Sequence, residues 1–442
     1  MMNATKLWAA GLAVAMLLTA GVTTARAQET GAGKQAYTQP EYNSYMLCQQ
    51  EKAAAGRLKC LDNFQALYPK SALLVYAYPL YYQSYAEQRN YAKVLEYVDK
   101  LLALGDKVDA GARYQALYAR AFAYNNLNSN DPDQAAKARQ AALDGVKALD
   151  DLKKPDNIDD KTFAEEKKKL ALYFNGTAGA SAMTLKNYPA AVESFKAVLA
   201  QNPDDPITNY QLGRAYLAMN PPQQMDGFWA IARAVGSKNA TEQQVKSVKT
   251  YLRNLLVNYQ QPGCENLIDS QINELVQLAG SSADRPASYK IPSLADLEAA
   301  RTNMTILSVI ADLKAGGDKA KISWLAACGS DFPNVPGKVI EVTPGTDSVS
   351  LKVAFVTNDA EFGAAKTPDM GVKVVGQPEA ARVEKDSLVQ FTGTLASYDP
   401  DPFMLHWDKG KVNPENIPAE KKQPPKRTSP RRPPAHHPKP SQ

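Results

Sequence analysis

In this 442-residue chain the residues best suited to chemistry are four cysteines and three histidines, and their spacing narrows what they can do. Cys48, Cys60, Cys264 and Cys328 form no Cys-x-x-Cys pair, and His406 is the one histidine outside the C-terminal tail. A Cys–His nucleophile pair or a zinc site therefore has no support. His436 and His437 stand in a Pro-rich tail and amount at most to an opportunistic metal site. His406, beside Trp407, reads as a residue of a small β-domain and not as a general base. Gly31-Ala32-Gly33-Lys34 has neither the spacing of a phosphate loop nor a strand before it. Nucleophile-elbow, zinc-protease and calcium-loop patterns are missing from the sequence. The expectation is a chain without a catalytic residue, metal or cofactor, whose cysteines serve as disulfides.

Two disulfides imply an oxidising compartment, and the N-terminus agrees. Lys6 precedes an apolar run from Leu7 to Val22, and Ala25-Arg26-Ala27 before Gln28 has the small-x-small pattern of a signal peptidase site. A retained membrane anchor is the alternative, but the run falls short of the roughly 20 residues a span needs. Export is expected, to the periplasm or beyond, with residues 1–27 as signal peptide and 28–40 as a flexible N-terminus. No cysteine lies near the cleavage site, which argues against a lipid anchor. Four cysteines allow three connectivities. Cys48 falls on a helix over about Glu41–Ala54 and Cys60 on one over about Leu58–Tyr68, with Gly56 in the turn. Both cysteines lie six residues from Ala54, so in an antiparallel hairpin they face each other at one level. That pairs Cys48 with Cys60 and leaves Cys264 with Cys328.

The elements around these residues are mostly helical hairpins. Counting from Leu172 over a unit of 34 residues, Gly179, Ala191, Phe195 and Pro203 fall at positions eight, twenty, twenty-four and thirty-two; the next unit begins at Pro206 and repeats the pattern with Leu212, Gly213 and Tyr216. Small residues let the two helices of a hairpin approach, the aromatic fills the gap to the next unit, and proline stops one helix before another starts. This stretch resembles the tetratricopeptide repeat. The resemblance implies an α-α solenoid, stacked because one hairpin cannot cover its own apolar face. Upstream, Asn90–Tyr97 resembles the start of a second helix, with Leu74–Gln88 before it. A degenerate pair spans Ala110–Leu127 and Asp131–Leu152, where Asp131 can cap and Pro132 takes the first helical position. Lys153–Lys169 is a charged helix extension or loop. Asp226–Val235 and Thr241–Tyr259 continue as helices, giving four to six hairpins in a repeat domain over 41–280.

In this repeat family the first helix of each hairpin lines the concave face. Its exposed positions map to Tyr76, Pro79 and Gln83, to Tyr173 and Met183, and to Ile207, Tyr210, Arg214 and Leu217. The Lys and Asn of the family's dicarboxylate clamp are missing. The groove is therefore expected to take an amphipathic or extended protein segment and not an acidic C-terminus. The alternative is that these tyrosines only pack between hairpins.

Beyond Ser293 the texture changes. Ser293–Ala315 reads as one helix stopped by Gly316-Gly317, and Asp318–Ala327 as a short second, so that 281–330 is a helical connector. Lys338–Val342, Ser348–Thr357, Val372–Val375 and Ser387–Tyr398 alternate as strands between turns, which makes 331–412 a small β-domain. The run Val383–Leu395 followed by Phe403–Trp407 resembles the closing strands of an oligonucleotide/oligosaccharide-binding barrel. Such barrels bind glycan or nucleic acid, although Phe391, Phe403 and Trp407 read as core before stacking platform. The net charge of +5 is carried by the ends: seven Lys or Arg follow Glu420 and two lie before Gln28, leaving −4 for residues 28–420. The body is thus not a nucleic-acid surface. Residues 413–442 form a basic, Pro-rich tail expected to lack fixed structure, either solubilising the chain or touching anionic cell wall or lipid. The sequence reads as a mainly α protein: a tetratricopeptide-like solenoid, a small β-barrel and a disordered tail. The expected function is non-enzymatic protein binding in the bacterial envelope; the alternative is a barrel that recognises glycan or nucleic acid, with the repeats as spacer.

Overall fold

The computed structural model describes residues 36–127, 130–154 and 158–420. The signal segment and the tail beyond Glu420 lie outside the described residues, so the expectations for them stand as expectations. The described chain divides into two compact units. One comprises the residues up to Leu255 together with Asp269–Ile291; the other comprises Leu256–Ile268 and the chain from Pro292 onward.

The first unit is built of helical hairpins. In chain order its helices are α1 (Gln39–Gln50), α2 (Ala54–Leu67), α3 (Leu74–Glu87), α4 (Tyr91–Leu102), α5 (Ala110–Asn126), α6 (Pro132–Ala148), α7 (Asp160–Thr184), α8 (Tyr188–Gln201), α9 (Pro206–Ala218), α10 (Gln224–Gly236), α11 (Glu242–Gln260) and α12 (Asn266–Ser281). These form six hairpins among the described residues, and the boundary with the second unit falls inside α11 and α12. Short polar side chains start them. Asp109, Asp159 and Asp205 accept backbone N–H bonds at the heads of α5, α7 and α9, at 2.9, 2.8 and 3.0 Å, while Asn90 and Asn187 cap α4 and α8, each at 3.3 Å. The turns before those two asparagines are alike: Arg89 and Lys186 are left-handed, at φ 57° and 56°, and Asn90 and Asn187 return an N–H to the carbonyls of Tyr85 and Ala182, both at 2.9 Å. Such a turn satisfies carbonyls that a helix end otherwise leaves open. Ten of α7's 25 residues form a charged extension from Asp160 to Lys169, so the stretch expected over 153–169 is helical in that part, while 153–154 and 158–159 lie outside any helix.

Packing between these helices follows the small-to-large pairs of the sequence. A Cβ on Gly145 would lie 2.3 Å from the Phe174 ring, one on Gly179 2.5 Å from the Phe195 ring, and one on Gly213 2.5 Å from Ile231 and 2.8 Å from the carbonyl of Gly227. First helices also touch one another directly, α3 with α5, α5 with α7 and α7 with α9. Arg233 on α10 fastens the later hairpins by donating to Asn209 Oδ1 on α9, to the Pro203 carbonyl and to the Ser282 carbonyl. The N-terminal hairpins are filled with tyrosine: the rings of Tyr81 and Tyr97 stack with centroids 3.9 Å apart, and Tyr81 donates to Asp62 at 2.9 Å.

Both disulfides join the expected pairs, with Cα atoms 5.3 Å apart for Cys48–Cys60 and 5.7 Å for Cys264–Cys328. The expected turn was misplaced. Chain reversal occurs at Glu51-Lys52-Ala53, where the Glu51 carboxylate accepts the Ala53 N–H at 3.0 Å, and Gly56 lies inside α2. The early helix also begins before the expected boundary at 41: Thr38 and Glu41 form a reciprocal cap, and Tyr37 stacks on Tyr42, so the last part of 28–40 is structured.

In the second unit the chain from Ser293 makes α13 (Leu294–Thr302), α14 (Ile306–Ala315) and α15 (Gly317–Ala327). The single helix expected over 293–315 is two, because Thr305 and Ser308 form a second capping box after the Ser293–Asp296 one. Nor is 281–330 a connector. Val309, Ile310, Leu313, Ala320 and Trp324 are buried in the same core as the strands, so these helices belong to the barrel unit. The strands β1 (Asp331–Pro344), β2 (Ser348–Phe355), β3 (Met370–Val375), β4 (Leu388–Pro400) and β5 (Phe403–Val412) close in the order β1-β2-β3-β5-β4, with a short α16 (Asp359–Ala364) between β2 and β3. All pairings are antiparallel except β3 with β5. Alternate residues point inward: Val349, Leu351 and Val353; Met370, Val372 and Val374; Leu405 and Trp407. Trp407 stands at the centre with Phe332 and Phe391 edge-on to it at 5.6 and 5.5 Å. The tail boundary at 413 also moves. Asn413 N–H donates to the Gln390 carbonyl, Asn416 Oδ1 accepts the Gln390 N–H at 3.0 Å, and Ile417 packs on the core, so the C-terminal segment is held to β4 past Val412.

Candidate functional site

The residues expected to line the groove lie on three first helices, α3, α7 and α9, and their surroundings differ. On α7, Tyr173 is half-buried: its ring is 4.7 Å from Tyr118 on α5, and Asn125 donates to its hydroxyl at 3.4 Å and to Thr177 Oγ1 at 2.9 Å. Burial is the main cause that raises its hydroxyl pKa, with nearby Tyr118 adding to it. Met183 packs against the cluster of Ala191, Phe195 and Leu212. Leu217 sits over Gly227 on α10, where a Cβ would come within 2.6 Å of it. These three side chains are thus interhelical packing, against Tyr118, against the Ala191–Phe195–Leu212 cluster and against Gly227 respectively.

The open positions are fewer. On α3, Tyr76 is 42% exposed with its ring 6.3 Å from Tyr45, whose own pKa is pushed up to about 12, by burial first and then by Tyr76 and Tyr42. Gln83 is half-buried one face along, and Pro79 lies within the same helix. On α9, Tyr210 and Arg214 come together one turn apart, the guanidinium 5.7 Å above the ring, and Arg214 is exposed. A third residue joins them: Tyr251 on α11 meets Tyr210 edge-on at 5.6 Å. Burial raises the Tyr251 pKa, Tyr210 adds to this, and the Arg214 charge opposes it. Sequence reasoning missed Tyr251. It lies on a helix that was foreseen but that carries too little repeat character to fix which positions face inward.

Arg214 has one further partner, Gln211 Oε1 at 3.3 Å, and no carboxylate pairs with it among the described residues. In the 28 residues of 170–184 and 206–218, the facing parts of α7 and α9, Arg214 is the single charged side chain. The second helices beside them are charged in both signs, with Glu193 and Lys196 on α8 and Asp226 and Arg233 on α10.

In the barrel, Phe391 and Trp407 are core, at 1% exposure each, and Phe403 is half-buried beneath the Lys314 ammonium at 4.8 Å from its ring. His406 is half-exposed and meets Asp399 Oδ2 at 2.8 Å. A row across the outer face runs Glu341, Lys352, Gly371, His406 in strand register, with Lys352 paired to Glu341 at 2.8 Å. Among the described residues no three His, Cys, Asp or Glu side chains converge as metal ligands, and no helix is long and apolar enough to cross a membrane. No protein-family model and no curated protein matches the sequence.

Proposed function

We propose that the hairpins are repeats of the tetratricopeptide type and that the chain is a non-enzymatic adaptor or assembly factor of the bacterial envelope, holding protein partners on the inner face of its first helices. The observation that carries this reading is the uncovered Tyr210–Arg214–Tyr251 group on helices whose direct first-to-first packing is the arrangement that lines a solenoid's inner side. Aromatic rings and arginine dominate the energetics of protein interfaces, and here two half-buried rings flank an exposed guanidinium on rigid elements. The two disulfides agree with an exported protein. Crosslinking and capture from the native envelope tests the reading: wild-type protein should recover defined partners, and the double variant Tyr210→Ala with Arg214→Ala should lose them at an unchanged melting temperature. Equal capture by both proteins would count against the groove.

One observation favours a second reading. The strand order β1-β2-β3-β5-β4 with β3 parallel to β5 is that of the oligonucleotide/oligosaccharide-binding barrel, which takes glycan or nucleic acid on its outer face. In that case Lys352→Ala on β2 together with Lys373→Ala on the exposed side of the neighbouring β3 should abolish retention on purified cell-wall glycan or single-stranded DNA. The Tyr210 and Arg214 variant should leave such retention intact.

A further inference from the structure

The Arg214 station has a chemistry of its own. Its cation is exposed, is held over one tyrosine ring, and donates to a neutral amide 3.3 Å away and not to a carboxylate. Elsewhere in the same unit several half-exposed arginines are paired with carboxylates, Arg120 with Asp99, Arg253 with Asp269 and Arg285 with Asp226. The contrast comes from composition, since no acid occurs anywhere in 170–184 or 206–218. A guanidinium is a fork of donors matched to a carboxylate, and one resting on an aromatic face keeps its outer donors free. Beside it, the half-buried faces of Tyr210 and Tyr251, with Ile207 one turn back on α9, offer apolar contact at low entropic cost.

We infer that the station reads an aspartate or glutamate side chain of an extended partner segment, with the carboxylate on Arg214 and a neighbouring aliphatic or proline residue laid on Tyr210 and Tyr251. The inference rests on the reading of this face as protein-binding and adds the class of partner. It differs from the clamp of related repeats, which grips a chain-terminal carboxylate with Lys and Asn; here one internal acidic residue is selected by a single guanidinium. The charge complementarity comes from the acid-free stretches of α7 and α9, and among the described residues no carboxylate pairs with the cation.

The probe is a displayed library of heptapeptides with blocked ends, randomised at every position and selected on the full-length, disulfide-bonded protein. Wild type should enrich peptides in which Asp or Glu neighbours Pro, Leu, Ile or Val. A selected peptide should bind about tenfold more tightly than its Asn or Gln counterpart, the ratio expected of one charge-assisted hydrogen-bonded contact. That ratio should fall as salt rises from 0.1 to 1 M, since an exposed pair is screened. Arg214→Glu should invert the preference to Lys or Arg at the same position, a gain that a misfolded variant cannot produce. Enrichment of apolar peptides without an acidic residue, unchanged by Arg214→Glu and lost in Tyr251→Ala, would overturn the inference while leaving the protein-binding face in place. No enrichment by the wild-type protein would remove both.

Discussion

The α9–α10 crossing offers the sharpest test of how this sequence builds its hairpins. At Gly213 a methyl group would sit 2.5 Å from Ile231 Cγ1, 2.8 Å from the Gly227 carbonyl oxygen and 3.1 Å from the Ile231 amide nitrogen. Two of those three atoms are backbone, so no side-chain rotation relieves the clash and the helices must separate. Gly280, near the end of α12, has nothing within 4 Å of the same methyl. Replacing either glycine by alanine gains up to about 1 kcal/mol of helix propensity, less near a helix end. At Gly213 that gain is set against overpacking, about 1–3 kcal/mol where a core is already filled. The gap between Gly213→Ala and Gly280→Ala should therefore be about 1–3 kcal/mol. For a unit of this size that amounts to about 2–4 °C of melting temperature per kcal/mol. Thermal unfolding followed by circular dichroism at 222 nm reads both variants against wild type. Gly280→Ala should melt at or slightly above wild type, and Gly213→Ala several degrees below both. If Gly213→Ala melts as high as Gly280→Ala, the glycine is not there for close approach, and the argument from repeat position to helix packing is wrong.

Other expectations rest on the same geometry. The buried tyrosines Tyr45, Tyr97 and Tyr118, each pushed up to about 12 chiefly by burial, stay protonated in the folded state at pH values where the unfolded chain ionises near 10. Their stabilisation is complete below about pH 10 and is lost as pH rises towards 12, at about 1.4 kcal/mol per pH unit for each. The tyrosinate absorbance of these three rings, read as the part lost in their Tyr→Phe variants, should therefore appear together with loss of helicity; that part appearing near pH 10 in an intact fold would contradict this. Removing Cys48–Cys60 by paired serine substitution should cost about 3 kcal/mol and removing Cys264–Cys328 about 4 kcal/mol on the chain-entropy account, measured by denaturant titration against the disulfide-bonded wild type. Truncation after Glu420 should leave the barrel's melting unchanged and abolish salt-sensitive retention on anionic vesicles. Truncation after Val412 should lower the melting as well, because it deletes the Asn416 acceptor of the Gln390 amide and the Ile417 contact; equal melting of the two truncations would mean that this segment holds nothing.

What the sequence made legible was local. Periodic apolar positions, caps such as Asn187 and Asp205, and the Gly179–Phe195 pair announce hairpins, because a 34-residue spacing leaves few other ways to bury those faces. The cysteine pairing was also within reach although the turn was placed about four residues late, because Cys48 and Cys60 still lie on the two facing helices of one hairpin. The misreadings were all questions of which surface a helix meets. Val309, Ile310 and Trp324 look the same in sequence whether they line a connector or a barrel core, and only the closed strands decide it. Tyr173, Met183 and Leu217 stand at positions two and twelve of their units and Tyr210 and Arg214 at five and nine, all of them positions expected on the concave face. The first three point into packing because Tyr118, Leu212 and Gly227 happen to stand opposite. The Tyr251 edge of the site depends on a contact between α9 and α11 that no spacing within either helix encodes.

The division of the chain at Leu255, Ile268 and Ile291 has a consequence for its synthesis and handling. Neither unit is a single stretch of sequence: the polypeptide enters the barrel unit for thirteen residues, goes back to the helical unit from Asp269 to Ile291, and enters the barrel unit again at Pro292. No single cut can therefore yield both units whole, and the first segment of the barrel unit must wait during translation until about sixty further residues bring Cys328 to Cys264. Once that bond has formed, a nick between Ile291 and Pro292 severs the main chain without releasing either piece. The two pieces stay joined after such a clip for as long as the Cys264–Cys328 bond is not reduced.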